Sequence, residues 1–464
     1  MQITSVELKN FKQFAELKFE LQPKVNVFAG INGSGKTSVL QAIALGLGPV
    51  LYYFSKQQSF YASPSSYVRK AIMNSRDRKR LEAQYPLQIT LHIQPEEQNL
   101  NNPLESDMVQ KVEGSNDIPN QNSPEEKNFS TGILATDDTQ HPTFQLLPKN
   151  IGRNTTFGST LPVFAFYQAE RYLSNTNLND LSANLRMEER GSAYQNWNDA
   201  ASQTETKKTL QWIVTKSIER MQSALSSGLL FDEVADDDLF VLCSALHNTF
   251  PEFKSIYYDW NAKSILIEWI RSPVESDGSH IDISSIDDLS DGQRNIILLY
   301  ADIARRICLL NPHLGEEAAQ KTDGIVLIDE LDVHLHPDWQ RKIICGLPKA
   351  FPSVQFIVTT HSPSVIGETP PSSLFLLSHG HLSKRDQSYG LNVSEVTAEI
   401  LGASDQSEDI KAEDQTIREL VEEHKLEEAR SKLYALENKL GGSTQTTRSL
   451  DAIISLAEAY GEDE

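Results

Sequence analysis

The segment that most restricts the fold is Gly30-Ile31-Asn32-Gly33-Ser34-Gly35-Lys36-Thr37, a match to G-x-x-x-x-G-K-[ST]. It follows the apolar run Val25-Asn26-Val27-Phe28-Ala29 and opens a stretch whose Val39, Leu40, Ile43 and Leu47 share one helical face. A buried strand, a glycine-rich turn and a helix in that order predict a phosphate cradle. The glycines let backbone N–H groups close round phosphate oxygens, and the helix N-terminus adds a favourable partial charge. Asn32, Gly33, Ser34, Gly35, Lys36, Thr37 and Ser38 then line the cradle. Lys36 is placed to reach the β- and γ-phosphates, and the Thr37 hydroxyl to bind Mg²⁺.

A second run carries complementary chemistry. Ile325-Val326-Leu327-Ile328-Asp329-Glu330 is an apolar strand ending in two acids. A buried strand tip is a costly place for two carboxylates unless they act on something. Asp329 suits the Mg²⁺ shell, and Glu330 suits polarising an attacking water.

Around these runs, strands alternate with helices, which predicts a largely parallel sheet. Residues 3–21 pattern as two strands, 85–93 and 161–167 as further strands, 293–310 and 339–351 as helices, and 354–360 as another strand. From 94 to 160 the chain is polar and poor in large apolar residues, as expected of a flexible surface insertion. The span 173–286 is expected to be a mainly helical insertion with a hairpin at 256–270. Trp212, Val214, Ile218, Met221 and Leu225 suit one helical face there.

Five residues, Leu289-Ser290-Asp291-Gly292-Gln293, resemble the LSGGQ signature of ABC-type ATPases, with Asp at the middle position. By that resemblance Ser290, Gly292 and Gln293 grip the γ-phosphate of a nucleotide bound to another subunit. Gln168 resembles the Q-loop glutamine that senses Mg²⁺ and the attacking water. His361, in Thr359-Thr360-His361-Ser362, resembles the switch histidine, and Asp332 the D-loop aspartate. Leu8-Lys9-Asn10-Phe11-Lys12 resembles the opening of SMC- and RecF-like ATPases. Lys12 is either close to the phosphates or an ordinary surface lysine. Val333-His334-Leu335-His336-Pro337 resembles a stretch of OLD- and Septu-type ATPases. For its two histidines, packing at a helix entry is preferred to a metal site, because no third ligand lies nearby.

The resemblance implies an α/β fold: an ABC-type P-loop NTPase head with a mostly parallel core sheet, N-terminal antiparallel strands, a helical insertion and a C-terminal helical extension. The ATPase lobes are expected at 1–93 and 287–403, with the Q-loop strand at 161–172. It implies ATP and Mg²⁺ as cofactors, with Glu330, His361 and Gln168 catalytic and Thr37, Gln168 and Asp329 round the metal. It also implies a head-to-tail homodimer or a higher even-numbered ring, since each nucleotide lies between two subunits. Within the class, the chain is similar to the ATPases of Septu-type anti-phage systems and of retrons. Those partner with a separately encoded HNH nuclease. The alternatives are a RecF-like ATPase that clamps DNA itself and an ATP-dependent scaffold with little hydrolysis.

Charge narrows the output. The formal net charge of -22 disfavours a simple polyanion binder, because the summed field repels phosphate backbones. Residues 65–80 nonetheless hold six basic residues, among them Arg76, Arg78, Lys79 and Arg80, against Asp77. They form either a nucleic-acid contact or a solvated helix face. Residues 404–464 hold 16 acidic and 7 basic residues with helical periodicity, which suits docking of a basic partner. Three scattered cysteines, no signal-peptide pattern and no apolar run near the roughly 20 residues of a membrane span favour a cytoplasmic protein without membrane contact.

Overall fold

Four short runs are buried along their whole length: β3 (Val25–Ala29), β9 (Val163–Tyr167), β13 (Gly324–Ile328) and β14 (Val354–Thr360). Strands covered on both faces need apolar side chains at nearly every position, which is why these runs lack polar alternation. With β15 (Leu374–Ser378) and β16 (His381–Ser383) they form a six-stranded sheet in the order β16-β15-β3-β14-β13-β9. All pairings are parallel except β15 with β16. The computed structural model describes residues 1–55, 67, 69–75, 78–94, 129–135, 143–145, 160–169, 189–234, 237–271, 280–378, 380–385, 387–402 and 408–461. Its contacts define two units, Met1–Asn392 and Val393–Glu464.

The parallel register decides where the motifs meet. Ile328 pairs with both Val358 and Tyr167, and Thr360 pairs with Ala29. The loops after β3, β9, β13 and β14 therefore leave the sheet along one rim. In open α/β sheets that carboxyl rim is where ligands bind.

An antiparallel sheet in the order β2-β1-β6-β7-β8 accompanies the first. It comprises β1 (Gln2–Phe11), β2 (Phe14–Glu20), β6 (Leu87–Gln94), β7 (Phe129–Ala135) and β8 (Thr143–Gln145). Helix α1 (Lys36–Ser55) packs against it, and the buried Thr131 hydroxyl donates to the Gly46 carbonyl. β7 and β8 fall inside the span expected to be polar surface chain. The average composition of 94–160 concealed the local run Phe129-Ser130-Thr131-Gly132-Ile133-Leu134, which pairs with β6 from Gln88 to Ile93. The rest of that span lies outside the described residues, apart from Gln94 and Thr160.

The basic run also departs from a helix. β4 (Lys70–Ser75) and β5 (Arg78–Ala83) pair as an antiparallel hairpin, with Ser75 opposite Arg78 and Met73 opposite Arg80. Residues 65, 66, 68, 76 and 77 lie outside the described residues.

In the second insertion, α2 (Gln203–Ser227) and α3 (Asp238–Thr249) lie with a three-stranded sheet of β10 (Phe253–Asp259), β11 (Ser264–Arg271) and β12 (His280–Ser285). The hairpin matches the sequence reading, while β12 adds a third strand. The buried residues of α2 include Trp212 and Val214, as expected, together with Leu210, Ile213, Ser217, Arg220 and Ala224. Met221 and Leu225, expected inside, are 46% and 75% exposed. The apolar spacing was right, but the helix turns its charged Arg220 inward onto Asp237 instead.

Helix α4 (Asp291–Leu310) joins these parts through a buried ion cluster. Asp302 accepts from Arg306 Nε (2.7 Å), Arg305 Nη2 (2.7 Å), Tyr167 Oη (2.8 Å) and Thr209 Oγ1 (3.1 Å). Glu205 on α2 receives Arg305 Nη2 at 2.8 Å and Arg306 Nη2 at 3.3 Å. Burial pushes the Asp302 carboxyl up, but the two guanidinium groups override it and bring it down to about 2. Short helices α5 (Ala318–Lys321), α6 (Pro337–Ala350) and α7 (Pro363–Gly367) complete the unit.

The second unit begins with α8 (Val393–Glu395) and continues with α9 (Glu408–Glu422), α10 (Leu426–Leu440) and α11 (Gln445–Gly461). Ile417, Ala429, Leu433, Leu436, Leu450 and Ile454 form its own core. Gly441, at φ +77°, ends α10 in a left-handed cap. Among the described residues, no helix is long and apolar enough to cross a membrane.

Removing one partner of a buried pair strands the other charge, at a cost of about 3–5 kcal/mol. Asp302→Asn is expected to lower the unfolding free energy of the first unit by that order, read from urea denaturation at pH 7. Because the folded carboxyl lies below its ordinary value, its stabilisation is present above about pH 3.9. It is lost as pH falls toward 2, so the difference between wild type and variant shrinks there.

Candidate active site

The loop from Gly30 to Lys36 needs glycine for two separate reasons. Gly33 and Gly35 have φ of +77° and +106°, where a side chain is strained. A Cβ on Gly35 would also lie 1.8 Å from Gln13 Nε2 and 2.8 Å from Phe14. Gln13, in the turn between β1 and β2, donates to the Ser34 carbonyl at 2.5 Å and holds the loop from outside. Sequence reasoning missed Gln13, since nothing in its local pattern connects it to Ser34, 21 residues on. Lys12 beside it is half-buried and bonds Gln41 on α1, with its ammonium 5.6 Å from the Tyr67 ring centre. It is not an ordinary surface lysine.

Lys36 is buried to 5% exposure. Its Nζ donates to the Gly30 and Ile31 carbonyls at 2.9 and 3.1 Å and lies 3.4 Å from His361 Nδ1. Burial lowers the Lys36 pKa, while Asp329, Glu330 and Asp332 pull it back up. Burial and the Lys36 charge both lower the His361 pKa. A neutral imidazole can accept the Lys36 proton at Nδ1, so the phosphate loop and the loop after β14 meet through one contact.

Asp329 is buried at the tip of β13, and its amide donates to the Tyr167 carbonyl at 2.8 Å. Its Oδ1 accepts from Thr359 Oγ1 at 2.6 Å, and Thr359 Oγ1 accepts from the Glu330 amide at 2.7 Å. Glu330 itself sits at φ +49°. A left-handed non-glycine residue costs of order 1–3 kcal/mol and persists only where neighbours hold it. Thr359 supplies that hold, adding a bond from the Leu331 amide to its carbonyl at 2.9 Å. Gln168, next after Tyr167, is exposed and donates to the Asn198 carbonyl at 3.0 Å. Sheet register therefore sets Gln168 beside Asp329.

The residues fit a nucleotide with a hard divalent cation. Among the described residues, Ser34 Oγ is buried in the loop with no hydrogen-bond partner, as a phosphate-facing hydroxyl would be. Thr37, Asp329 and Gln168 offer hydroxyl, carboxylate and amide oxygens, the donor set that suits Mg²⁺.

Ser290, Gly292 and Gln293 form a separate surface. Ser290 caps α4 in a reciprocal box with Gln293, and both are held at the exposed helix start. A Cβ on Gly292 would lie 2.1 Å from the His334 carbonyl oxygen, so the helix start rests on the turn after Glu330. His336 caps α6 by accepting from the Asp338 amide at 3.4 Å. Among the described residues, no group of three or more His, Cys, Asp or Glu is placed to hold a metal ion.

A strand, phosphate loop and helix on a parallel sheet, with an acidic strand tip at the same rim, define a P-loop ATPase. The model for the AAA ATPase domain family matches residues 1–366, and the chain belongs to that family. It is 24% identical to the retron Vc95 probable ATPase of Vibrio cholerae over 434 residues, 86% of this chain and 78% of that one. It is 45% identical to the retron Ec83 probable ATPase of Escherichia coli over 118 residues, 25% of this chain and 21% of the relative. It is 48% identical to the Septu protein PtuA of Bacillus mycoides over 80 residues, 17% of this chain and 10% of that protein. The match thus spans most of one retron relative and only about a fifth of the other. The solved SMC head bound to the C-winged helix domain of ScpA aligns with a TM-score of 0.43 at 13% identity, covering 84% of this chain and 98% of that one.

Two outcomes test this geometry. Gly292→Ala forces a Cβ against backbone that cannot rotate away, and overpacking of this kind costs about 1–3 kcal/mol. The variant is expected to melt earlier by a matching shift. For His361, an imidazole NMR titration is expected to give a midpoint below about 6.5, rising when Lys36→Met removes the neighbouring charge. The sign follows from linkage: the unfolded chain binds the proton more readily, so the His361 contribution to stability falls as pH drops below about 6.5.

Proposed function

We propose that the chain is the ATP-hydrolysing regulatory subunit of a retron- or Septu-type defence complex. The single observation that carries the ATPase part is the meeting of Lys36, Asp329, Glu330 and His361 at one sheet rim. The retron and Septu names of the relatives support the defence part.

In this reading the backbone N–H groups of Asn32–Thr37 and the Lys36 ammonium hold the phosphates in line. Mg²⁺, held by Thr37 and Asp329 with Gln168, would neutralise charge on the β- and γ-oxygens. Glu330 orients the attacking water and takes its proton. His361, kept neutral by burial and by Lys36, contacts the γ-phosphate. Catalysis of this kind is mostly positioning and electrostatics, so the rigid hold on Glu330 matters more than its basicity.

Ser290 and Gln293 face solvent at the N-terminus of α4, which suits capture of a γ-phosphate on a second copy. A head-to-tail homodimer, or an even-numbered ring of such pairs, satisfies both surfaces. The output then passes to a separate HNH nuclease. The acidic three-helix unit suits a basic partner of that kind. A second reading, direct DNA contact, is favoured by one observation: β5 carries Arg78, Lys79 and Arg80 in succession on the β4–β5 hairpin.

Lys36→Met removes a charged phosphate contact and is expected to weaken ATP binding by about 10- to 150-fold. Glu330→Gln is expected to keep ATP binding, to slow hydrolysis about 10²–10⁴-fold and to trap the dimer seen by light scattering. A purified wild-type chain that binds no ATP overturns the reading. Hydrolysis unchanged in Glu330→Gln favours a scaffold. ATP-dependent duplex binding without a partner, lost on neutralising Arg78, Lys79 and Arg80, favours the DNA clamp.

A further inference from the structure

Gln340 lies in the first turn of α6, and that turn is firmly seated. Pro337 begins the helix, His336 caps it, and the Trp339 ring stacks on Phe250 with centres 4.2 Å apart. From this base the Gln340 side chain reaches two other elements. Its Nε2 donates to the Asp332 carbonyl at 3.3 Å and to the Leu335 carbonyl at 3.0 Å. Its Oε1 accepts from Ser362 Oγ at 2.6 Å.

Both targets adjoin the candidate reactive residues. Asp332 and Leu335 bound the turn that follows Glu330, and that turn also carries the backbone on which Gly292 rests. Ser362 follows His361. Its hydroxyl proton is committed to Gln340, because the same oxygen accepts from the Ser364 and Val365 amides. Its own amide donates to Thr360 Oγ1 at 2.9 Å. Glu330, at the other end of the turn, is in a strained conformation that needs external support.

We propose that Gln340 is a positioning residue for ATP hydrolysis, whose one amide sets the spacing between the Glu330 turn and the His361 loop. This rests on the reading of Glu330 and His361 as catalytic. The bland alternative is that Gln340 merely joins α6 to α7. Its three bonds speak against that, since all leave its own helix and two end on the turn after Glu330. Magnitudes separate the two roles. Neutral hydrogen bonds each add little to fold stability, whereas a misplacement of about 1 Å at a catalytic group costs about 100-fold in rate.

The test uses the full chain with Gln340→Met, which keeps the length and removes all three bonds, and Gln340→Glu, which keeps the acceptor for Ser362 and loses the donor to the two carbonyls. ATP affinity by fluorescence titration, single-turnover hydrolysis at saturating ATP and thermal melting are read on each. Gln340→Met is expected to hydrolyse about 100-fold more slowly, with Kd within about threefold of wild type. Gln340→Glu is expected to be as slow at pH 8. It should recover relative to wild type as pH falls and the carboxyl gains a proton to donate. Hydrolysis by Gln340→Met within twofold of wild type overturns the proposal. So does a loss matched by equal losses in affinity and melting temperature, or failure of both variants to fold, since each marks a purely structural role. Absence of ATP binding by the wild type overturns the reading of the site as well, which tells the two failures apart.

Discussion

The parallel pairing of β3, β14, β13 and β9 is the constraint on which the rest depends. Each strand is covered on both faces, so none can slip by one residue without exchanging one buried set of side chains for another. That register places the residues after Ala29, Tyr167, Ile328 and Thr360 along one rim. Residues more than 300 apart in sequence, such as Lys36 and His361, come within 3.4 Å as a result. The site is thus a product of sheet order first and of side-chain chemistry second.

The buried ion cluster extends that frame to α4. Asp302, Arg305 and Arg306 lie on α4, Glu205 and Thr209 on α2, and Tyr167 at the end of β9. Two carboxylates balance two guanidinium groups inside the protein, and backbone carbonyls such as Ala193 take a further N–H. Such a cluster is not a strong source of stability compared with apolar packing. It does demand one geometry, because any rotation of α4 would leave a buried charge unpaired. The start of α4, with Ser290 and Gly292, is therefore registered against the Gln168 strand.

Much of the site was legible because its elements are local. A glycine-rich loop needs particular backbone angles, and an acidic pair after an apolar strand needs a reason, so both stand out in one dimension. Elements that depend on a distant partner were less visible. β7 is a seven-residue strand within a polar span, and it forms because β6 offers it a ladder. Met221 and Leu225 follow helical spacing, yet α2 buries Leu210, Ile213, Val214 and Ala224, with Arg220 on the same side pairing with Asp237. The basic run pairs as a hairpin, although its composition also suits a helix. Gln13 and Gln340 carry no motif, Thr359 is only a neighbour in the His361 run, and only their contacts reveal what they hold.

The chain by itself determined the local elements: a glycine-rich loop at Gly30–Thr37, a carboxylate pair at Asp329–Glu330 and an acidic helical segment at 404–464. These depend on backbone freedom, charge and periodicity, which neighbours in sequence already specify. Only the tertiary structure decided which carbonyls Lys36 meets, that His361 stands beside it, and that Thr359 holds both Asp329 and the left-handed Glu330. Those relations span tens to hundreds of residues. They exist only once the sheet has brought the loop ends together, because a hydrogen bond near 3 Å is set by the fold's geometry and not by order along the chain.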